Sequence, residues 1–517
     1  MPIRISGLNS GLDTDAIVQE LVSAYRTKQD KYKKAQTKLS WKQDAWKEMN
    51  TKIYNFYTKS LSNMRRVGNF NKKKTTVSDS TKATVTAGSG VANGTQTLKV
   101  EQLAKAGYLT GTELKTDSGA KLDTSSKLQD LGISGGTLSF TIGGETKSVE
   151  VNGNMTIGEF NKALKEQGIS ANFDTTQQRF FLSSAKSGEK NDFKFVVADG
   201  DQNAFNMLNS LGLATGDNYD AAFGTGTDAA GKKEDFSFAD KTKASDAVII
   251  LNGARFQGDS NNFSINGLNI TALSVSDEMS ITTATDVDGI YNMVKDFLKE
   301  YNEVVNAMEK SYNAAAAKGY EPLTDDEKAE LSDKEVEKWE QKIKDSILRR
   351  DDTLRSVLSG MSTNMSKVFE VNGKKYSLSS FGIKTAGYFN TAENESYAYH
   401  IDNDPEDSVS SANEDKLRKM IEEDPDTVAS FFTQLATTVY DDLHERMTAN
   451  PTLSSSYKIY NDKQMQSEYD EYTKTIKKWE EKLKDMEDSY YKKFSAMETA
   501  LAKLQSQTNS LSSLLGG

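Results

Sequence analysis

Two imidazoles, His400 and His444, are the only histidines in this chain of 517 residues, and no cysteine accompanies them. Histidine is the side chain suited to moving protons at neutral pH. Two isolated copies in different predicted elements give a Ser-His-Asp arrangement little to work with. The absence of cysteine excludes disulfides, thiolate zinc sites and cysteine nucleophiles. Three short acidic runs resemble fragments of calcium loops: Asp199-Gly200-Asp201, Asp286-Val287-Asp288-Gly289 and Asp402-Asn403-Asp404. None carries the full alternating ladder closed by a glutamate, so each reads as a turn. No glycine-rich phosphate loop or dinucleotide fingerprint is present. A carboxylate pair for sugar hydrolysis stays open, because 75 acidic residues hide any such pair. The reading is of a protein that is not an enzyme and needs no cofactor or metal. An enzyme domain within the central stretch is the minor alternative, and a hydrolase assay on that stretch tests it.

The elements that would position any chemistry are long helices at both ends. In the last stretch an apolar repeat alternates steps of four and three through Met465, Tyr469, Tyr472, Ile476, Trp479, Leu483, Met486, Tyr490, Lys493, Met497, Ala500 and Leu504. Near the start it runs Val18, Leu21, Tyr25, Lys28, Tyr32, Ala35, Leu39, Lys42, Trp46, Met49, Ile53 and Phe56. A spacing of 3.5 keeps one stripe facing a partner helix. Two such stripes in one chain pair most simply with each other, antiparallel, giving a rod with a body at one end. The central seam residues expected are Leu39, Trp46, Met49, Ile53, Ile476, Trp479, Leu483 and Met486. Tyrosine, tryptophan and lysine are poor occupants of a two-stranded seam, which predicts a rod of marginal stability.

The first helix is expected to start at Asp13-Thr14-Asp15, an acidic cap, and to run to about Arg66. From about 75 to 285 short alternating runs read as strands, including 84–86, 97–100, 137–142, 147–151, 179–182, 193–197, 247–251, 262–265 and 279–282. Gly143-Gly144 marks a hairpin turn, 157–167 a short helix, and 214–246 a loop. Helix returns at Asp286 with Ile290, Met293, Val294, Phe297, Leu298 and Tyr301 on one face. A charged helical segment covers 324–348, hairpins 370–402, and further helices 413–447 and 457–515. The fold class is multidomain α+β, with antiparallel terminal coiled-coil helices, a helical collar, and β-rich domains inserted between them. The expected division is a leg of 1–45 with 470–517, a helical domain of 46–75 with 285–469, a β-rich domain of 76–130 with 240–284, and an inserted β-rich domain of 131–239.

Composition narrows the partners. A net charge of −11 argues against nucleic acid, and the basic residues Arg65, Arg66 and Lys72 to Lys74 read as a solvated loop. Hydrophobic residues make up 36%, as long exposed elements require. No apolar run approaches the ~20 residues that cross a bilayer, and the opening residues lack the apolar segment of a cleaved signal. The two tips are different from the rest. Residues 1–12 carry one charge, Arg4, among Ile3, Ile5, Leu8 and Leu12, and 499–517 carry one, Lys503, among Leu501, Leu504, Leu511, Leu514 and Leu515. With little charge to desolvate, such tips suit burial in a multi-helix partner surface. Ile17 and Leu21 extend the same assembly face.

The residues also resemble a family. Ile5-Ser6-Gly7-Leu8-Asn9-Ser10-Gly11-Leu12-Asp13-Thr14-Asp15 with Ile17-Val18-Gln19-Glu20-Leu21 is similar to the start of the flagellar hook-associated protein 2 family, the filament cap proteins. So are Lys38-Leu39-Ser40-Trp41-Lys42, Val100-Glu101-Gln102-Leu103-Ala104, 301–307, Asp352 to Ser356, Ser380-Phe381-Gly382-Ile383-Lys384-Thr385, Glu423 to Val428 and Leu501 to Leu515. Residues 135–213 resemble the small repeat inserted in flagellins and caps. The chain departs from shorter members at 214–246 and 313–348. The resemblance implies a structural cap at the distal tip of a bacterial flagellar filament, extracellular, which retains exported flagellin and promotes its polymerisation. It implies a ring-like homo-oligomer, contacts with flagellin and hook-filament junction proteins, and export through the flagellar type III apparatus, with an export chaperone and no cleaved signal. No nucleic acid and no membrane partner is expected. The alternative reading is a surface adhesin binding host or mucin glycans through the β-rich insertion.

Overall fold

The computed structural model describes residues 10–116, 119–225, 233–387, 391–407 and 409–515, the side chains of 513–515 excepted. The chain divides into two compact units, residues 1–70 with 287–517, and residues 71–286.

The first unit is helical. Its N-terminal helix, Thr14–Asn55, begins where the acidic cap was expected: the Asp13 carboxylate accepts the Ala16 N–H at 3.0 Å. It does not continue as one α-helix to Arg66. At Phe56–Leu61 it widens into a π-helical turn, followed by Ser62–Met64 and a 3₁₀ turn at Val67–Phe70. Phe56, Tyr57 and Leu61 of this wider turn are all buried in the core. The chain returns as Val287–Asn313, Asp352–Met365, Lys416–Glu423, Pro425–Thr448 and the long C-terminal helix Asp462–Leu515. Asp352–Met365 had no periodic signal assigned to it; its cap is Asp351, whose carboxylate accepts from Thr353 and Leu354. The charged stretch folds as two short helices, Asp325–Ala329 and Asp333–Asp345. The 370–402 region does form hairpins, pairing Phe369–Val371 with Lys374–Tyr376 and Ile383–Thr385 with Tyr399–Ile401. One large core joins these elements through Trp46, Ile53, Phe56, Tyr301, Met361, Phe381, Phe431 and Phe432.

The second unit is made of antiparallel sheets around two separate cores. One core lies between a five-stranded sheet in the order Lys73–Val77, Met279–Thr285, Gly94–Gln102, Ala247–Leu251, Ala254–Gly258, and a three-stranded sheet of Asn262–Ile265, Leu268–Ala272 and Ala83–Ala87. Alternation along the strands puts Leu98, Val100, Ile249, Ile270 and Ile281 inside. The other core gathers a four-stranded sheet (Asp240–Thr242, Tyr108–Thr110, Arg179–Ser184, Ile169–Asp174), a three-stranded sheet (Glu145–Asn152, Gly135–Ile142, Phe193–Val196) and the helix Ile157–Glu166. Gly143 and Gly144 both take positive φ, 65° and 77°, the geometry that a tight hairpin turn demands.

Here the loop expected at 214–246 is corrected in part. It contains a helix, Gly216–Phe223, and a strand, Asp240–Thr242; residues 226–232 lie outside the described residues. A preceding helix, Gln202–Ser210, starts at Asp201, whose carboxylate accepts the Ala204 N–H. Phe205, Tyr219 and Phe236 pack edge-on at about 5.5 Å, which gives this glycine- and alanine-rich stretch enough apolar area to fold. The two cores are joined by polar contacts: the Ser187 hydroxyl donates to the Asp259 carbonyl at 2.7 Å and the Glu189 N–H to Asp246 at 2.7 Å. Gly188, at φ 97°, lies against Asp259, where a Cβ would sit 2.7 Å from its Cα.

Candidate functional site: the paired terminal helices

The terminal helices pack antiparallel, and their contacts run in order along both. From the tip inward, Ser10 donates through its N–H (3.3 Å) and hydroxyl to the carboxylate of Glu498. Arg26 pairs with Glu487 at 3.2 Å. The Lys28 ammonium stands 5.9 Å from the Trp479 ring, and Tyr32 meets Tyr472 at 6.5 Å between ring centres. The Gln36 amide donates to Thr473 at 2.6 Å. In the segment just before the C-terminal helix, Tyr460 stacks on Trp46 at 5.4 Å, and the Ile459 N–H donates to the Asn50 side chain at 2.9 Å. Burial, with Glu468 beside it, pushes the Tyr472 hydroxyl above the usual tyrosine range.

The seam has two parts with different packing. Trp46, Met49 and Ile53 belong to the large core of the unit, not to a two-helix zipper. Outward from there the fully buried cluster is Val18, Val22 and Leu483 alone, with Tyr25, Tyr490, Tyr491 and Phe494 half-buried around it. Ile476 is buried; Leu39, Trp479 and Met486 are half-buried.

The inward stripe of the N-terminal helix is the second of two interleaved heptads. Both contain Val18, Tyr25, Tyr32, Leu39, Trp46 and Ile53. In the outer part the alternate positions inside the seam are Val22 and Gln29 in place of Leu21 and Lys28; further in, Ala35, Gln36, Lys42 and Gln43 are all half-buried, and Met49 and Asn50 are both buried. Val22 is fully buried and Gln29 is 4% exposed, whereas Leu21 is 42% exposed. The lysines are therefore not seam exceptions. Lys28 lies over an aromatic edge, and Lys42 turns to Asp351 at 2.9 Å. An amide every seven residues (29, 36, 43, 50) was the signal that apolar counting passed over. Buried amides in a seam favour one register at the cost of stability.

The charged stretch 324–348 also reaches the N-terminal helix. Lys34 pairs with Glu327 at 2.7 Å, and the Lys344 ammonium lies 4.8 Å from the Trp41 ring. The Lys34 hydrogen bond, then the Thr324 N–H, hold the Glu327 carboxyl below the usual glutamate range.

The tips divide differently. From Thr499 to Ser512 every side chain except Ala502 is exposed; Leu504 and Leu511 are each 58% accessible, and Leu501 and Leu12 are exposed too. Ile17 is half-buried. Ile5 and Leu8 lie outside the described residues, as do the side chains of Leu514 and Leu515.

The residues first considered for chemistry are placed apart. His400 faces Asp407 at 2.6 Å, and His444 faces the Tyr57 hydroxyl at 2.8 Å. Asp402 and Asp404 sit in a turn that Asn403 closes at φ 63°; they take Lys384 and Asn413, and Lys295, respectively. Desolvation opposes the charge of Lys295, yet Glu406 and Asp404 together hold its ammonium above the usual lysine range. Among the described residues no group of three His, Asp or Glu is placed to hold a metal ion, and no helix is long and apolar enough to cross a membrane.

The model described as "Flagellar hook-associated protein 2 N-terminus" matches residues 10–107, and "Flagellar hook-associated protein 2 C-terminus" matches 244–506. The unmatched stretch between them coincides with the second core of the β-rich unit. A flagellar hook-associated protein 2 of Halalkalibacterium halodurans is 22% identical over 451 residues, 82% of this chain and 78% of the relative. That of Thermotoga maritima is 24% identical over 412 residues, 78% of this chain and 59% of the relative. Among solved structures, the D1-D2-D3 domains of the flagellar cap protein FliD from Escherichia coli align with a TM-score of 0.51 at 17% identity, covering 79% of this chain and 97% of that one. These matches lend no support to the adhesin alternative.

Proposed function

The chain belongs to the flagellar hook-associated protein 2 family, and on that premise we propose that it caps the distal end of a flagellar filament, retains exported flagellin there and promotes its polymerisation. The observation that supports this reading most directly is the C-terminal helix. It continues for several turns past Glu498, the residue that meets Ser10, carrying the exposed Leu501, Leu504 and Leu511 on a surface with one charge, Lys503. Each leucine buried on docking contributes roughly 1.5–3 kcal/mol, and few charges need desolvating. Such a tip fits between helices of an assembling filament. Several copies in a ring would present several tips at once, so one can release while others hold. The thin outer seam suits this role, because a leg that opens locally can rebind in a new place without unfolding the body. Ile5, Leu8, Leu12, Ile17, Leu21, Leu514 and Leu515 are assigned to the same contact. Passage through the flagellar type III apparatus with an export chaperone, without a cleaved signal, and contact with hook-filament junction proteins, complete the proposal.

Cells lacking the native protein would be complemented with the full chain and with Leu504→Glu/Leu511→Glu. The double variant should export normally yet leave short or absent filaments and flagellin free in the medium. Filaments of normal length with that variant would refute the role given to the tip.

A further inference from the structure

A groove of about 800 Å³ opens in the helical unit beside the end of Val287–Asn313, and its floor holds a carboxylate that nothing above accounts for. Glu309 is 5% exposed. One of its oxygens accepts the Ser396 N–H at 2.9 Å. Among the described residues no side chain donates to it. Its neighbours along the groove are Tyr312, Asn313, Asn364 and Tyr397. The two arginines at the other side do not serve it. Arg446 is held by Asp442 (2.9 Å) and Ser356 (2.8 Å), lying flat over Gly360, where a Cβ would meet its guanidinium. Arg355 lines the groove but is exposed, and among the described residues it makes no bond to Glu309.

We propose that this groove binds an alkylammonium group, with Glu309 as its counter-ion and Tyr312 and Tyr397 as walls for the alkyl stem. One oxygen of this carboxylate takes the Ser396 N–H and the other has no donor among the described residues, so a cation that enters the groove gains charge pairing there. The ligand class follows from valence and shape. A divalent metal needs several oxygens, and Glu309 is the one deeply buried acid in the groove. A guanidinium prefers both oxygens of a carboxylate in a fork, and one is already taken by Ser396. An ammonium needs a single oxygen and tolerates aromatic faces beside it. The chemistry is shared by a lysine side chain of a neighbouring polypeptide and by a free polyamine.

The test uses the full chain and ligand-observed NMR. Nα-acetyl-lysine methylamide and 1,4-diaminobutane should each receive saturation transfer at the methylene next to the ammonium. Nε-acetylation should abolish it. Glu309→Gln keeps the volume and the Ser396 bond, and should weaken binding at least tenfold; Tyr397→Leu, which leaves the charge in place, should weaken it a few-fold. No transfer to either probe, or transfer unaltered in Glu309→Gln, overturns the proposal. Zero-length carbodiimide coupling of assembled protein then separates the sources. A Glu309–lysine cross-link found by mass spectrometry identifies the protein source, whereas saturable diamine binding with no such cross-link identifies the free amine.

Discussion

Leu483→Ala separates the outer leg from the body more cleanly than any other single change. Leu483 is the one buried residue that the C-terminal helix contributes to the outer cluster, set against Val18 and Val22. In a rigid core Leu→Ala costs about 2.7–5 kcal/mol, part of it for the cavity left behind. This seam is two helices wide, so the helices can shift together and water can reach the gap; the cost falls to about 2–3 kcal/mol. At about 1.4 kcal/mol per factor of ten, the equilibrium for opening the leg rises about 30- to 150-fold. None of that cost touches the core built on Trp46, Tyr301 and Phe431. Native-state hydrogen exchange read by mass spectrometry is the assay. Peptides covering 14–30 and 476–498 should exchange faster by that factor, while 290–308 and 425–448 keep their protection. An equal rise in the body peptides would mean that leg and body unfold as one, and an unchanged leg would mean that Leu483 does not hold it. Either result refutes the two-part seam.

Three further outcomes follow from the same geometry. Gln29→Leu replaces a buried amide by an apolar side chain of similar size and should slow exchange in 14–30 by roughly five- to tenfold, about 1 kcal/mol, while loosening the preference for a single register; size-exclusion with light scattering would detect the mispaired species. Trp46→Ala removes the stack on Tyr460 and should lower the urea midpoint of the helical unit by an amount corresponding to about 3–5 kcal/mol, with the 71–286 unit unaffected. For Glu327 the sign follows from its lowered folded-state pKa: the stabilisation from Lys34 is present above the ordinary glutamate range near 4.3 and is lost as pH falls through the lowered value. Exchange and proteolysis of 321–345 should therefore increase on acidification below about pH 4.5 and on addition of salt, and Glu327→Gln should abolish that pH response; an identical acid response in Glu327→Gln would show that other carboxylates control it.

Much of the fold could be read from pattern because the physics was local. The Asp13 cap, the Gly143-Gly144 hairpin and the apolar series of the C-terminal helix each depend on residues close in sequence. The inward stripe of the N-terminal helix was harder. Two heptads share Val18, Tyr25, Tyr32, Leu39, Trp46 and Ile53, and in the outer part hydrophobicity favours the outward-facing alternate, since Leu21 outranks the buried Gln29. What decides is the partner: Thr473, Tyr457 and Ile459 offer polar groups to the amides. The helices Gln202–Ser210 and Gly216–Phe223 were hidden for another reason. Asparagine in the first, and glycine, alanine and aspartate in the second, resemble a loop, and it is packing of Phe205 and Tyr219 with Phe236 and the surrounding core that folds them. The tip leucines were legible as an apolar stretch with one charge, and Leu501, Leu504 and Leu511 are exposed as that pattern allows.

The way the β-rich unit begins and ends has an evolutionary consequence. Its first strand, Lys73–Val77, pairs with its last, Met279–Thr285, in the register Lys73 to Thr285, and the Asp286 N–H donates to the Lys72 carbonyl at 2.9 Å. More than two hundred residues thus leave and return through neighbouring backbone positions. A segment tied off in this way can lengthen, shorten or be exchanged by recombination while the flanking helices keep the same spacing at the junction. The antiparallel bridge of Lys105 and Ser245, whose N–H groups donate to each other's carbonyls at 2.9 and 3.1 Å, repeats the arrangement one level down, where the chain enters and leaves the second core. Lineages can therefore vary the second core without altering the first, and the whole β-rich segment without altering the helices that flank it in sequence.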